Sequence, residues 1–214
     1  MERLTRKQKQ AHTRECLMNS AARVFARRGL QQASIDEVAE DAGFTKGAFY
    51  ANFKSKEELF LAMLDERFTK RIAEIERVIA GEGSTAEKAR RAGDLFAQTL
   101  RADREWERLF FEFSAYAARD EDFRQELVTR YRAMRQRIAA ALQADAEHHD
   151  KEPALSFDAV ALMTSAMSNG FALEKLLEGD DVPDELYGTM LMVFFAGLEA
   201  IKDAAPLIGA GTSA

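Results

Sequence analysis

The amino-acid sequence predicts an all-α fold of about nine helices. Three observations predict it. Apolar residues recur at three- and four-residue spacings along most of the chain, as one face of a helix requires. No stretch sustains the period-two alternation of a half-buried strand. Two S-x-x-E patterns, Ser34–Glu37 and Ser55–Glu58, have the spacing at which two side chains reciprocally satisfy orphan N–H groups at a helix start. The 214 residues are 47% hydrophobic, ample for a core in one large domain or two small ones.

Residues 1–12 are polar and basic, with Arg3, Arg6, Lys7 and Lys9, and are expected to form a flexible arm. Two readings of the arm stand open: a segment that follows a phosphate backbone or enters a minor groove, and an unstructured end. A first helix is predicted from Thr13 to Arg28, with Leu17, Ala21, Val24 and Phe25 inward and Gly29 as its end. Ser34 opens a second, whose Ile35, Val38, Ala39 and Ala42 share a face, and Gly43 turns the chain. Thr45 caps a short third helix. Its Phe49 and Phe53 lie four apart and face inward with Leu30, Ile35 and Phe44, leaving Lys46, Gly47, Ala48, Tyr50 and Ala51 on the opposite face. Small residues there let a helix approach base edges, and a lysine and a tyrosine hydroxyl reach bases or phosphates.

A long helix is predicted from Ser55 to Ala80 on Leu61, Leu64, Phe68, Ile72, Ile75 and Ile79, broken by the GEGST segment, Gly81–Thr85. Further helices are predicted over Ala86–Leu100, Arg104–Ala118, Glu121–Ala146, Phe157–Glu178 and Pro183–Lys202, with Pro183 in a first turn ahead of Asp184 and Glu185. The GAGTSA tail reads as disordered, and no internal repeat is present.

Charge is segregated within a net of −6. Residues 1–56 hold eleven Lys or Arg and six Asp or Glu, and residues 57–214 hold nineteen and thirty, so a basic head precedes an acidic body. The single Cys16 excludes an intrachain disulfide framework and fits a reducing, cytoplasmic setting. The longest apolar run, Met190–Leu198, is about half of what crosses a bilayer, and no h-region follows the basic start, so neither a membrane span nor a secretion signal is expected. An enzyme reading finds no nucleophile elbow, Walker loop or dinucleotide fingerprint. His148 and His149 sit in an AEHHDKE run that reads as a solvated helix end, because neighbouring helical residues point about 100° apart. Cys16 has only His12 at useful spacing. No catalytic residue, metal site or cofactor is expected.

Thr45, Gly47, Tyr50, Phe53, Lys56 and Leu59 form the pattern T-x-G-x-x-Y-x-x-F-x-x-K-x-x-L, preceded by AARVFARRGLQQASIDEVAEDAG. Over about residues 14–64 the chain resembles the TetR family of transcriptional regulators; beyond that the resemblance is one of helical architecture. Asn52 stands where these proteins often have histidine, and Ala51 where they often have a larger residue. The resemblance and the helix-turn-helix spacing imply a DNA-binding domain over 1–56 and a regulatory, effector-binding and dimerisation domain over 57–214. The expected DNA-binding residues are Ser34, Thr45, Lys46, Gly47, Ala48, Tyr50, Ala51, Asn52 and Lys56. Ser34, Thr45, Tyr50 and Lys56 are assigned to phosphates, and Lys46, Gly47, Ala48 and Ala51 lie nearest the bases.

The aromatic and methionine set Trp106, Phe110, Phe113, Tyr131, Met134, Met163 and Met167 reads on its own as plain core as readily as a ligand box. The resemblance implies an effector pocket among these residues, with Glu112, Arg135 and Asn169 as polar groups near it, and an apolar or aromatic small molecule as its ligand. It also implies pairing of two copies through the last two helices, at Met167, Phe171, Met190, Phe194 and Leu198. The expected function is therefore a homodimeric regulator, a repressor that binds a palindromic double-stranded DNA operator and is released by an effector. The alternative is a ligand-carrying helical bundle without sequence-specific DNA binding.

Overall fold

Helices α1 (Arg6–Gln32), α2 (Ile35–Asp41), α3 (Lys46–Tyr50), α4 (Lys56–Ala80), α5 (Thr85–Ala102), α6 (Arg104–Ala117), α7 (Glu121–His148), α8 (Phe157–Glu178) and α9 (Leu186–Ala200) make up the fold, with a 3₁₀ turn at Gly179–Asp181. The structure, a computed structural model, describes residues 5–150 and 153–201. Among these residues there is no strand. The predicted disordered tail lies outside the described residues.

Helix starts follow capping chemistry. Ser34 and Glu37 form a reciprocal box at 3.1 Å in each direction, and Ser84 and Glu87 form another. The Ser55 box is only half formed: Ser55 Oγ accepts from the Glu58 N–H, but the Glu58 carboxylate accepts instead from the Lys54 N–H at 2.7 Å.

Two boundaries differ from expectation. Helix α1 starts at Arg6, so residues 6–12 of the expected flexible arm are helical; Thr5 and Gln8 form a T-x-x-Q capping box ahead of a run of good helix formers. Pro183 precedes α9 instead of opening it, because Asp184 is drawn to Lys175 at 2.9 Å and the Leu186 N–H bonds back to the Pro183 carbonyl. At the other end of α1 the chain kinks at Gly29, whose φ of 73° favours glycine.

The chain packs as two units. The first takes α1 to α3, α4 through Phe68, and Glu105–Thr129 from α6 and α7. Its core is built on Leu17, Val24, Phe25, Val38, Phe49, Phe53, Phe60 and Phe113, all essentially inaccessible to solvent. Phe60 lies between Trp106 and Phe113, stacked at 5.5 and 3.6 Å between ring centroids, and Phe25 meets Phe113 edge-on at 5.8 Å. Full burial of each such ring contributes on the order of 2 to 3 kcal/mol. This packing division does not follow the 1–56 and 57–214 halves, because the aromatic face of α6 closes the core under α1 and α4.

The second unit takes α4 from Thr69, α5, α7 from Arg130, α8 and α9. Helices α5 and α9 pass in direct backbone contact at Gly93 and Gly188. Phe96, Phe171 and Tyr187 pack around that crossing, with ring centroids of Phe96 and Tyr187 4.9 Å apart. Ion pairs tie its helices at Arg137–Glu76 (2.7 Å) and Lys88–Asp145 (2.6 Å), and Asp184 joins Arg101 to the buried Lys175.

Candidate nucleic-acid interface and body cavity

In the first unit the geometry of α3 follows from its two anchors. Phe49 and Phe53 are sunk in the core, which turns Lys46, Gly47, Tyr50 and Ala51 outward, with Tyr50 51% exposed and Ala48 half-buried. Thr45 Oγ1 accepts from the Ala48 N–H at 3.2 Å, fixing the start of the helix. A Cβ on Gly47 would meet only Thr45 Oγ1, at 3.7 Å, so the face there is open. Lys46 Nζ donates to Asp36 at 2.9 Å, and this hydrogen bond is the chief cause of a lysine pKa raised above its ordinary value. Lys46 is therefore a cation held at the rim of the exposed face, with an acid beside it.

Other residues of the predicted interface act inside the unit. Ser34 Oγ is engaged in its capping box, which also holds the Glu37 carboxyl below its ordinary range, chiefly through the Ser34 backbone N–H. Lys56 Nζ donates to the Leu30 and Ala33 carbonyls at 2.9 and 2.8 Å, so its ammonium closes the turn between α1 and α2 instead of standing free for phosphate. This corrects the assignment of Lys56 as a simple phosphate contact; the carbonyls exposed after the Gly29 kink need a donor. Asn52 bonds back to the Ala48 carbonyl through Nδ2 at 2.8 Å, while its Oδ1 is buried with no hydrogen-bond partner.

Two further residues were missed. Arg14 places its guanidinium 4.1 Å over the Phe53 ring and donates to the Asn52 carbonyl at 3.0 Å, clamping the end of α3 to α1. Glu112 Oε1 accepts the Leu30 N–H at 2.7 Å, so it serves the Gly29 turn and no ligand. Both contacts join residues far apart in sequence, and no local pattern announces them.

The second unit holds a cavity of about 130 Å³ lined by α4, α5, α7, α8 and α9. Its walls are mostly apolar, including Ile75, Val78, Ile138, Leu142, Leu191 and Phe195. Lys88 closes one part: its ammonium is 12% exposed and donates to the Ile79 carbonyl at 2.7 Å and to Asp145 at 2.6 Å. Tyr187, Thr164, Ser165, Ser168 and Arg71 line another. Burial, the largest cause, pushes the Tyr187 phenol above its ordinary pKa and keeps it neutral.

Of the residues predicted for an effector pocket, Met134 lines this cavity. Trp106, Phe110 and Phe113 are buried in the first unit, where the stacked rings of α6 take them up. Tyr131 and Met167 are half-buried and Met163 is 40% exposed, none of them in the cavity wall. On the predicted pairing surface, Met167, Met190, Phe194 and Leu198 are half-buried, whereas Phe171 is turned inward against Phe96 and Tyr187. The most exposed apolar side chains on α8 and α9 are Leu162, Leu177 and Val193, at 54%, 70% and 68%.

Among the described residues no group of three or more His, Cys, Asp and Glu side chains is placed to hold a metal ion, and no helix is long and apolar enough to cross a membrane.

Comparison with known proteins agrees with this arrangement. The family model "Bacterial regulatory proteins, tetR family" matches residues 17–63, and the model "BetI-type transcriptional repressor, C-terminal" matches residues 85–198. The HTH-type transcriptional activator FasR of Mycolicibacterium smegmatis is 31% identical over 96 residues, which cover 45% of this chain and 44% of FasR. The chain thus spans less than half the length of that relative. The uncharacterized HTH-type regulator YfiR of Bacillus subtilis is 27% identical over 174 residues, 78% of this chain and 82% of YfiR. The crystal structure of the regulator FadR from Bacillus subtilis in complex with stearoyl-CoA superposes with a TM-score of 0.69 at 16% identity, covering 84% of this chain and 96% of that one. With a helix-turn-helix head matched by one family model and more than half of the chain matched by another, the protein belongs to the TetR family of DNA-binding transcriptional regulators.

Proposed function

We propose that the protein is a homodimeric repressor that binds a palindromic operator through α3 and leaves it when a small molecule occupies the cavity of the second unit. The observation that carries the DNA half is the outward face of α3, Lys46, Gly47, Tyr50 and Ala51, set rigidly by the buried Phe49 and Phe53 beneath it. Base contacts come from Lys46, Gly47, Ala48 and Ala51, and phosphate contacts from Tyr50 and the N-terminal ends of α2 and α3 at Ser34 and Thr45. Lys56 and Asn52 act by positioning. So short a helix reads too few bases alone, so two heads one DNA turn apart, about 34 to 36 Å, supply the specificity.

Pairing through α8 and α9 is supported by the exposed Leu162, Met163, Leu177 and Val193 beside the half-buried Phe194 and Leu198. Repression is favoured by the match to a repressor-type C-terminal model, and an effector by the cavity together with the ligand named for the FadR structure. Helix α4 contributes Phe60 to the core of the first unit and Arg71, Ile75, Val78 and Ile79 to the cavity of the second, so a ligand that shifts one end of a packed helix acts on the other. For a hundredfold loss of operator affinity the ligand must favour the non-binding state by about 2.7 kcal/mol, and operator must weaken ligand binding by the same factor.

The test is selection of bound duplexes from a random DNA pool, followed by anisotropy titration of the winner. A palindromic consensus bound by two chains is the expected result. Recovery of no sequence preference over random duplex would overturn the reading.

A further inference from the structure

The cavity has a hydrogen-bonding character that its residue types alone do not reveal. Three hydroxyls in its wall have spent their protons on backbone carbonyls: Thr164 Oγ1 donates to Val160 O at 2.9 Å, Ser168 Oγ to Ser165 O at 2.8 Å, and Tyr187 Oη to Thr164 O at 3.2 Å. Bonding back to a carbonyl three or four residues earlier is how helical Ser and Thr satisfy their protons without solvent. Each oxygen retains lone pairs, so this part of the wall accepts hydrogen bonds and does not donate them. A ligand that lies against it must bring its own donor.

Charge narrows the class. Lys88 is committed to Asp145 and the Ile79 carbonyl, and the Arg71 guanidinium lies 3.9 Å over the Phe96 ring. An anion would have to draw one of these cations away from its partner, and leaving Asp145 enclosed without Lys88 is costly. An ammonium would face both cations. A neutral donor is left, which means a hydroxyl. Size narrows it again. About 130 Å³ is close to the apolar cavity of about 150 Å³ that takes up one benzene, and Tyr187 and Phe195 supply aromatic walls.

We propose that the cavity takes a neutral monocyclic phenol, its ring among Ile75, Ile138, Leu191 and Phe195 and its O–H donated to the oxygens of Thr164, Ser168 and Tyr187. The assignment rests on the cavity being the effector site, and names the ligand class for it.

The test is calorimetry on the full-length protein at neutral pH with phenol, toluene and benzoate. Phenol and toluene bind, and benzoate does not. In Thr164→Val/Ser168→Ala, phenol affinity falls about tenfold, the equivalent of one hydrogen bond, while toluene affinity is unchanged. Ser168→Ala alone, with thermal melting as a check on folding, gives a smaller loss in the same direction. Benzoate binding more tightly than phenol overturns the proposal in favour of an acid anchored on Arg71. Equal losses of phenol and toluene in both variants overturn the donor assignment and leave the cavity standing as an apolar site. Binding of none of the three to the wild-type protein overturns the effector reading of the cavity as well. DNA selection is unaffected by any of these outcomes, so a failure here is distinguishable from a failure of the operator-binding reading.

Discussion

A Cβ built on Gly93 would lie 2.3 Å from the Cα of Gly188. No real side chain tolerates that separation, so α5 and α9 touch backbone to backbone at this point, and the crossing brings Phe96 and Tyr187 together beside the cavity. The relationship is not reciprocal: a Cβ on Gly188 would meet only the Arg90 carbonyl at 3.4 Å and its Cα at 3.5 Å, which is ordinary contact. Gly93→Ala should therefore destabilise the protein by about 1 to 3 kcal/mol through forced separation of the two helices. Gly188→Ala should be neutral or stabilising by up to about 1 kcal/mol, since alanine is the better helix former. Urea melts of the two variants check this, and equal destabilisation would show that the crossing is looser than described.

Lys56 should behave as a structural residue of the head. Removing its ammonium leaves the Leu30 and Ala33 carbonyls without their donor. Lys56→Ala is expected to cost about 1 to 3 kcal/mol of stability and to weaken binding to all DNA sequences alike. A purely phosphate-binding lysine would leave the melting temperature unchanged and flatten the salt dependence of affinity by nearly one unit.

Lys46 and Asp36 should move DNA binding in opposite directions. Lys46→Ala is expected to lose roughly 10- to 100-fold in affinity at particular base pairs, with little loss on unrelated duplex. Asp36→Asn removes the acid 2.9 Å from that ammonium and should tighten binding. Anisotropy titrations on cognate and mismatched duplexes read both effects, and a uniform loss across sequences for Lys46→Ala would place it on the backbone.

Acid should destabilise the protein through paired carboxylates. The hydrogen bond from Lys175, aided by the charges of Lys175, Arg101 and Arg104, holds the Asp184 carboxyl below its ordinary 3.8. A depressed folded pKa means the contribution is fully present above the unfolded value and is lost as pH falls through the folded one. Stability should decline below about pH 4, and Asp184→Asn should flatten that limb in urea melts taken at successive pH values. An unaltered acid limb in the variant would show that other carboxylates set it.

The exposed apolar side chains of α8 and α9 should hold a second copy. Val193→Asp places a charge on a position 68% exposed in the single chain, so the fold should survive while the dimer dissociates. Sedimentation at micromolar concentration should show a wild-type dimer and a variant monomer with an unchanged melting temperature. A wild-type monomer would remove the basis for reading a palindrome.

The sequence by itself determined what short-range physics determines. Apolar periodicity specified the helices, the boxes at Ser34 and the cap at Thr45 specified starts, and Phe49 with Phe53 specified which face of α3 is exposed, because each depends on residues within about four positions. Thr5 and Gln8 belonged to the same legible class, and the basic composition around them concealed the cap. Tertiary structure decided how long-range partners are shared out. Trp106 and Phe113 had the composition of a ligand box, but Phe60 lies between them in the stack and takes them into the first unit. Lys56 matched a phosphate-binding position, but two carbonyls 23 and 26 residues earlier in the chain claimed its ammonium. The cavity wall was assembled from five helices around Lys88 and Asp145, 57 residues apart. A local pattern records what a side chain can do, and only the packed chain settles which of several competing partners reaches it first.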